Sequence, residues 1–214
     1  MYIFQPDRYL LQQQIGKASF YVRGKTLDVG AGTSDRYSKK FETTEYIRLD
    51  MTPSPGVDIV GSIYAIPMMN DSVDTVVCTQ VLEHVTRPND AAKEIFRVLR
   101  TGGYAIVTVP QMNELHEEPN DYFRYTNYGL VSLFETAGFH VVEINQRGGY
   151  YAMLAQIRIR HLIDRYRLYH RPFFGRIMGK LIALYGKSML VLDRMATSTA
   201  SKKHTIGWCV VLRK

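Results

Sequence analysis

The sequence is poor in cysteine, with only Cys78 and Cys209. Both stand in apolar, strand-like runs. Two buried reduced thiols therefore fit better than a disulfide framework or a cysteine metal site. No run of about 18 uncharged apolar residues occurs, so no segment reads as a helix that spans a bilayer. The start, Met1 to Asp7, has no basic segment followed by an apolar core. That speaks against a secretory signal and for a cytoplasmic protein. Internal repeats and low-complexity tracts are missing as well. Acid is scarce in one region only. Residues 1–146 carry 13 Lys+Arg and 18 Asp+Glu, a net of −5, whereas residues 147–214 carry 14 and 2, a net of +12. The whole excess of +7 thus comes from the tail, and so local a basic surface points to an anionic partner.

What is present suits one α/β domain. The chain has 214 residues, 46% hydrophobic and 22% charged, enough for one well-filled core. Its centre is Thr26-Leu27-Asp28-Val29-Gly30-Ala31-Gly32-Thr33-Ser34. An apolar run feeds a glycine turn, where the missing Cβ atoms allow a sharp bend and let a ligand lie on bare backbone. In an α/β sheet such a turn lies at the carboxyl edge, where ligands bind.

Taken in order, residues 5–19 read as a helix and residues 25–29 as the first strand. A helix is expected from Ser34 to about Phe41, capped by Ser34 or Thr33. Strand two is Glu45 to Asp50, strand three Asp58 to Gly61, and strand four Ser72 to Cys78, an almost unbroken apolar run of the kind buried in parallel sheets. A helix from about Pro88 to Arg100 places Ala91, Ala92, Ile95, Phe96, Val98 and Leu99 at helical spacing. Gly102-Gly103 closes it and opens strand five, Tyr104 to Val109. A polar loop, a helix (127–137), strand six (139–145), two amphipathic basic helices within about 150–200, and a last strand near 205–212 complete the chain.

These residues carry a family likeness. Asp28-Val29-Gly30-Ala31-Gly32 resembles the first motif of class I S-adenosylmethionine-dependent methyltransferases. Asp50 matches their acid at the end of strand two. Val73 to Val85 resembles the fourth-strand motif of the branch that contains quinone and small-molecule methyltransferases. Glu94 to Gly103 resembles the motif leading into strand five. Ser34, Ser62 and Thr101 depart from the usual glycine, acid and proline. The resemblance implies a Rossmann-like seven-stranded mixed sheet of order 3-2-1-4-5-7-6, with helices on both faces. Residues 1–214 would form one domain, with a helical insert before the last strand. It also implies S-adenosylmethionine as cofactor. Asp28 would hold its amino group and Asp50, with Met51 beside it, its ribose. Gly30, Ala31 and Gly32 would form the turn against it, Ser62 and Ile63 would border the adenine, and Gln80 would line the cleft.

A dinucleotide is the rival ligand for the turn. The third position of G-x-G-x-x-G falls on Asp35, and an acid there opposes a pyrophosphate at a helix N-terminus. An NAD-dependent oxidoreductase is accordingly the rival enzyme class. A non-catalytic cofactor-binding or membrane-docking module is the rival of another kind. For the acceptor, the loop Leu115 to Tyr125 stands out as polar, aromatic and at the carboxyl edge. His116 has the ordinary pKa of a general base for a hydroxyl acceptor, with Asp121 and Arg124 as its companions. The crowded set His116, Glu117, Glu118 and Asp121 matches no recognised metal-ligand spacing, and no metal is expected there. The expected reaction is methyl transfer to a small-molecule, saccharide or lipid-linked acceptor, with oxygen favoured. The basic helices either lie on the anionic inner face of a membrane, roof the site or pair two copies. RNA is supported by basic charge alone.

Overall fold

The computed structural model describes residues 2–33 and 35–214; the expected cap and glycine replacement at Ser34 lie outside them. The elements are α1 (Pro6–Ala18), β1 (Lys25–Val29), β2 (Glu45–Asp50), β3 (Ile59–Val60), β4 (Val73–Thr79), α2 (Pro88–Val98), β5 (Leu99–Pro110), α3 (Asn127–Thr136), β6 (His140–Gln146), α4 (Tyr150–Arg165), α5 (Pro172–Met195), α6 (Thr199–Lys202) and β7 (Gly207–Arg213). The strands form one sheet of order β3-β2-β1-β4-β5-β7-β6, as expected. β1 to β5 pair in parallel. β7 runs the other way: Lys214, just past its end, exchanges backbone hydrogen bonds with Gly102 and Gly103 near the start of β5.

Contacts divide the chain into two compact units. The larger spans residues 15–110, 115–145 and 208–214. Its core is the sheet's own apolar run, Leu27, Val29, Val76, Cys78, Ala105, Val107 and Val210, covered by Ile95, Val98, Leu130 and Phe134 of α2 and α3. Pro88 stands in the first turn of α2, where the missing N–H costs nothing. The Thr126 hydroxyl caps α3 by accepting from the Gly129 N–H at 3.1 Å.

The other unit is residues 1–14, 111–114 and 146–207. Here α4 and α5 bury Ile159, Ile163, Ile182 and Met189 with Ile3. Asp193 of α5 accepts from the N–H groups of Gly149 (2.8 Å), Tyr151 (3.0 Å) and Ala152 (3.1 Å), so an acid distant in sequence satisfies the start of α4. Arg147 is fully buried. It donates to Asp7 and to Gln14, each at 2.8 Å, which compensates its desolvation.

Three expectations are corrected. Among the described residues 35–41, the expected helix gives way to a single 3-10 turn, Ser38–Lys40. Asp35 explains the difference, because its carboxylate accepts from the Ser38 N–H at 3.0 Å and from the Ser38 hydroxyl, local bonds that compete with a helix. Gly102-Gly103 does not open a strand either. β5 already begins at Leu99, and the glycines form a bulge that shifts the register between Val73↔Leu99 and Thr75↔Tyr104. A Cβ on Gly103 would lie 2.7 Å from the Asp74 carbonyl oxygen. Lastly, the apolar stripe expected on the second basic helix is split. Ile182 and Met189 are buried, but Phe174, Ile177, Leu181 and Leu192 face solvent.

Candidate active site

Parallel register brings the carboxyl ends of four strands together. Val29 lies opposite Leu49 of β2 and Cys78 of β4, and Thr79 lies opposite Thr108 of β5. The chain leaves β1 at Gly30, whose φ of +71° suits glycine, and turns again at Gly32, φ +62°. The turn is tied to β2 because the Gly30 and Ala31 N–H groups both donate to the Leu49 carbonyl, at 2.8 and 3.1 Å. A Cβ on Gly30 would strike Val81 at 2.4 Å, whereas one on Gly32 would meet nothing within 4 Å. Gly30 is thus required by packing. Gly32 borders open space, as a turn that receives a ligand does.

Two carboxylates flank this turn. The Asp50 oxygens accept from the N–H groups of Gly32 and Thr52, each at 2.9 Å, so this acid shapes the turn itself. Asp28 is buried, and burial pushes its carboxyl up to about 6, against the opposing hydrogen bond from the Tyr46 hydroxyl at 2.8 Å and the charge of Arg48. A buried acid of this kind gains from a cationic partner. Arg48 is also buried and donates to the Gly32 carbonyl at 2.8 Å. Neither Tyr46 nor Arg48 was expected in the site; both look inward from β2, and only their alternation along that strand hinted at it.

The remaining expected cofactor residues sit around the same edge. Met51 is exposed beyond Asp50. The Ser62 hydroxyl accepts from the Tyr64 N–H at 3.2 Å, and Ile63 is buried next to it. Gln80, just past β4, has a left-handed φ of +55°, uncommon for a residue with a side chain, and its amide donates to the Thr108 hydroxyl at 3.2 Å.

The loop after β5 is stitched to the turn after β4. The Tyr122 and Phe123 N–H groups donate to the Glu83 carbonyl, at 2.8 and 3.2 Å. The buried Tyr125 hydroxyl donates to the Leu82 carbonyl at 2.9 Å. Within the loop, Arg124 grips both Asp121 oxygens at 2.6 Å, a two-toothed charged contact. That fork holds the Asp121 carboxyl down at about 2. Asp121 in turn accepts from the His116 N–H at 3.0 Å and stands 3.4 Å from His116 Nδ1. The three residues expected to act together are therefore in one contact chain. Glu117 and Glu118 are exposed. His84, just past β4, meets the ring of His116 edge to face at 4.9 Å between centroids.

Residues 27–107 match the family described as "Methyltransferase domain". A "probable S-adenosylmethionine-dependent methyltransferase" of Mycolicibacterium smegmatis is 36% identical over 115 residues, 50% of this chain and 44% of that protein. The ubiquinone/menaquinone biosynthesis C-methyltransferase UbiE of Dinoroseobacter shibae is 28% identical over 159 residues, 63% of this chain and 59% of that one. The chain thus spans about half the length of these curated relatives. Among solved structures, the [4+2]-cyclase SpnF superposes with a TM-score of 0.62 at 18% identity, covering 97% of this chain and 81% of that one. Phosphoethanolamine N-methyltransferase 2 of Haemonchus contortus, in complex with S-adenosyl-L-methionine, gives 0.59 at 12%, covering 98% and 56%. At such identities these two structures show the fold alone.

Proposed function

We propose, from the premise that residues 27–107 form a class I S-adenosylmethionine-dependent methyltransferase domain, that the chain methylates an oxygen of a small-molecule, saccharide or lipid-linked acceptor. One observation carries the reading. The loop holding His116, Asp121 and Arg124 is hydrogen-bonded to the turn after β4, and β4 pairs with the strand that ends in the glycine turn. An acceptor loop and a cofactor turn thus share one sheet edge. The fit to the cofactor rests on open space at Gly32 and on the buried Asp28 carboxylate, which suits an ammonium group. S-adenosylmethionine, when bound, supplies a methyl group already activated on a sulfonium. The chain's own task is then positioning and proton removal. Arg124 fixes Asp121, Asp121 orients the His116 ring, and His116 receives the acceptor's proton.

The partner surface belongs to the same reading. Among the described residues no helix is long and apolar enough to cross a membrane. Yet α5 exposes Phe173 (79%), Leu184 (67%) and Met195 (71%) together with Ile177, Leu181 and Val191. At about 100° per residue these fall on one arc, and Arg176, Lys180, Lys187 and Arg194 fall on an adjacent one. The single acid of α5, Asp193, is turned to the start of α4. An apolar arc bordered by cations suits an anionic membrane surface. The same cationic column set against a second copy would repel itself.

The test is incubation with methyl-labelled donor and cell extract, followed by fractionation. Label in an aqueous, polysaccharide or lipid fraction, lost with His116→Ala, is expected. No label in any fraction, with donor binding intact, overturns the reading. Flotation with anionic vesicles is expected to carry the wild-type chain and not Lys180→Glu/Lys187→Glu. Equal flotation of both removes the membrane partner.

A further inference from the structure

Glu83 and His84 on the turn after β4, and His116 on the loop after β5, each bring one ligand-type atom to a common point. These atoms all lie within 4.8 Å of one another. Glu83 is fully buried, while His84 and His116 are half-buried and form the outer side of the group. Glu83 Oε1 stands 3.9 Å from His84 Nε2. Two nitrogens or oxygens bound to one tetrahedral ion are about 3.4 Å apart, given bonds of about 2.0–2.2 Å. Small side-chain rotations would therefore bring the group to bonding distance.

The second feature is how the rings are held. His84 Nδ1 lies 2.6 Å from the Asn120 carbonyl oxygen. A carbonyl only accepts, so Nδ1 is the donor there, and Nε2, which faces Glu83, is the ring nitrogen left to take an ion. His116 Nδ1 faces the Asp121 carboxylate at 3.4 Å, and Arg124 fixes that carboxylate. Histidines that bind metal are held in this manner, with the far ring nitrogen on a carbonyl or carboxylate that sets tautomer and orientation. Both supports come from one loop, residues 120–121, and both ligand-bearing segments are already joined through the Glu83 carbonyl.

We infer that Glu83, His84 and His116 bind a divalent first-row transition ion, with zinc the best match to two imidazoles and one carboxylate. Three protein ligands leave coordination positions open, as sites that receive a substrate do. The open positions would anchor an acceptor oxygen, a clause that rests on the acceptor-loop reading above; the binding of the ion does not. With the ion bound, the acceptor hydroxyl it polarises would release its proton to solvent, and the proton-accepting role proposed for His116 belongs to the ion-free chain. Sequence spacing pointed away from this group, because it offered His116 its loop neighbours Glu117, Glu118 and Asp121 in no recognised ligand pattern. The fold supplies Glu83 and His84 instead.

The experiment titrates the chelator-treated full chain with cobalt(II) and follows visible absorption. One equivalent should bind and give the bands of a low-coordinate nitrogen–oxygen site, and zinc should displace it. His84→Ala and His116→Ala should each weaken binding on the order of 100-fold. Asp121→Asn, which removes no ligand but weakens the support of His116 and the fork to Arg124, should weaken it about 10- to 100-fold. His140→Ala, at an exposed histidine outside the group, should leave it unchanged. The rim histidines are used because Glu83→Gln alters a fully buried position, and far-ultraviolet circular dichroism checks that each variant is folded. No cobalt bands, or the same affinity in wild type and His116→Ala, overturns the inference. Cobalt binding without methyl transfer to any fraction would sink the proposed function and leave the ion site standing. Chelator-insensitive transfer with no cobalt binding would do the reverse.

Discussion

Replacing Asp28 with Asn should stabilise the fold and weaken the site, with a pH dependence that the structure dictates. Burial raises the Asp28 carboxyl from 3.8 to about 6. The folded chain therefore holds a proton that the unfolded chain has lost between those two values. Stability linked to this group is fully present below about pH 4 and is lost as pH rises to about 6. Above that it stays constant, with the ionised carboxylate a fixed cost. A shift of about two units corresponds to about 3 kcal/mol as an upper figure, at about 1.4 kcal/mol per unit. Asn keeps an oxygen to accept from the Tyr46 hydroxyl at similar geometry but has no charge to desolvate. The variant should therefore match wild type near pH 4 and exceed it by about 1–3 kcal/mol at pH 7. Other carboxylates titrate in both proteins and cancel in the difference. Urea unfolding of the two proteins at half-unit steps from pH 4 to 8 measures it. Calorimetry with S-adenosylmethionine should show the opposite trend, because the variant lacks the anion proposed to face the donor's ammonium. A stability difference that is flat across pH 4–7 refutes the assigned cost of burying this charge. Unchanged donor affinity removes Asp28 from the cofactor site.

The other predictions use different parts of the chain. Asp50→Ala should lower donor affinity about ten-fold or more by calorimetry, since both the proposed ribose contact and the anchoring of the Gly32 and Thr52 N–H groups go with it. Gly32→Val puts a branched side chain at φ +62° and into open space. It should cost about 1–2 kcal/mol of stability and abolish donor binding while the fold is kept. Arg147→Ala leaves Asp7 and Gln14 without their buried partner. It should cost about 3–5 kcal/mol, read as a lower urea midpoint; a loss under 1 kcal/mol would show that the pair is dispensable.

The sheet was legible because its strands state their own burial. Val73 to Cys78, almost unbroken in apolar character apart from Asp74 and Thr75, suits a buried parallel strand, and β4 is that strand. Gly30 and Gly32 were legible as a turn because their φ values need glycine. The expected helix over 34–41 failed on a local competitor: Asp35 bonds to Ser38 rather than capping a helix. Among site residues, His116, Asp121 and Arg124 could be grouped because they lie within nine residues of one loop. Glu83, His84, Tyr46 and Arg48 could not, because their roles depend on which distant segment the fold lays against them. The stripe on α5 shows a further limit. Helical periodicity finds the apolar residues, but whether Leu181 meets a neighbour or solvent depends on how wide the neighbour is.

The contact from Arg48 to the Gly32 carbonyl has an engineering consequence. The guanidinium crosses over Gly56, where a Cβ would lie 2.2 Å from Arg48 Nη1. Any side chain at 56 must push the arginine, and the arginine holds the glycine turn. Position 56 thus acts through Arg48 on the glycine turn proposed to hold the cofactor. Gly56→Ala, also strained by φ +83°, offers a graded way to detune donor affinity without altering a binding group.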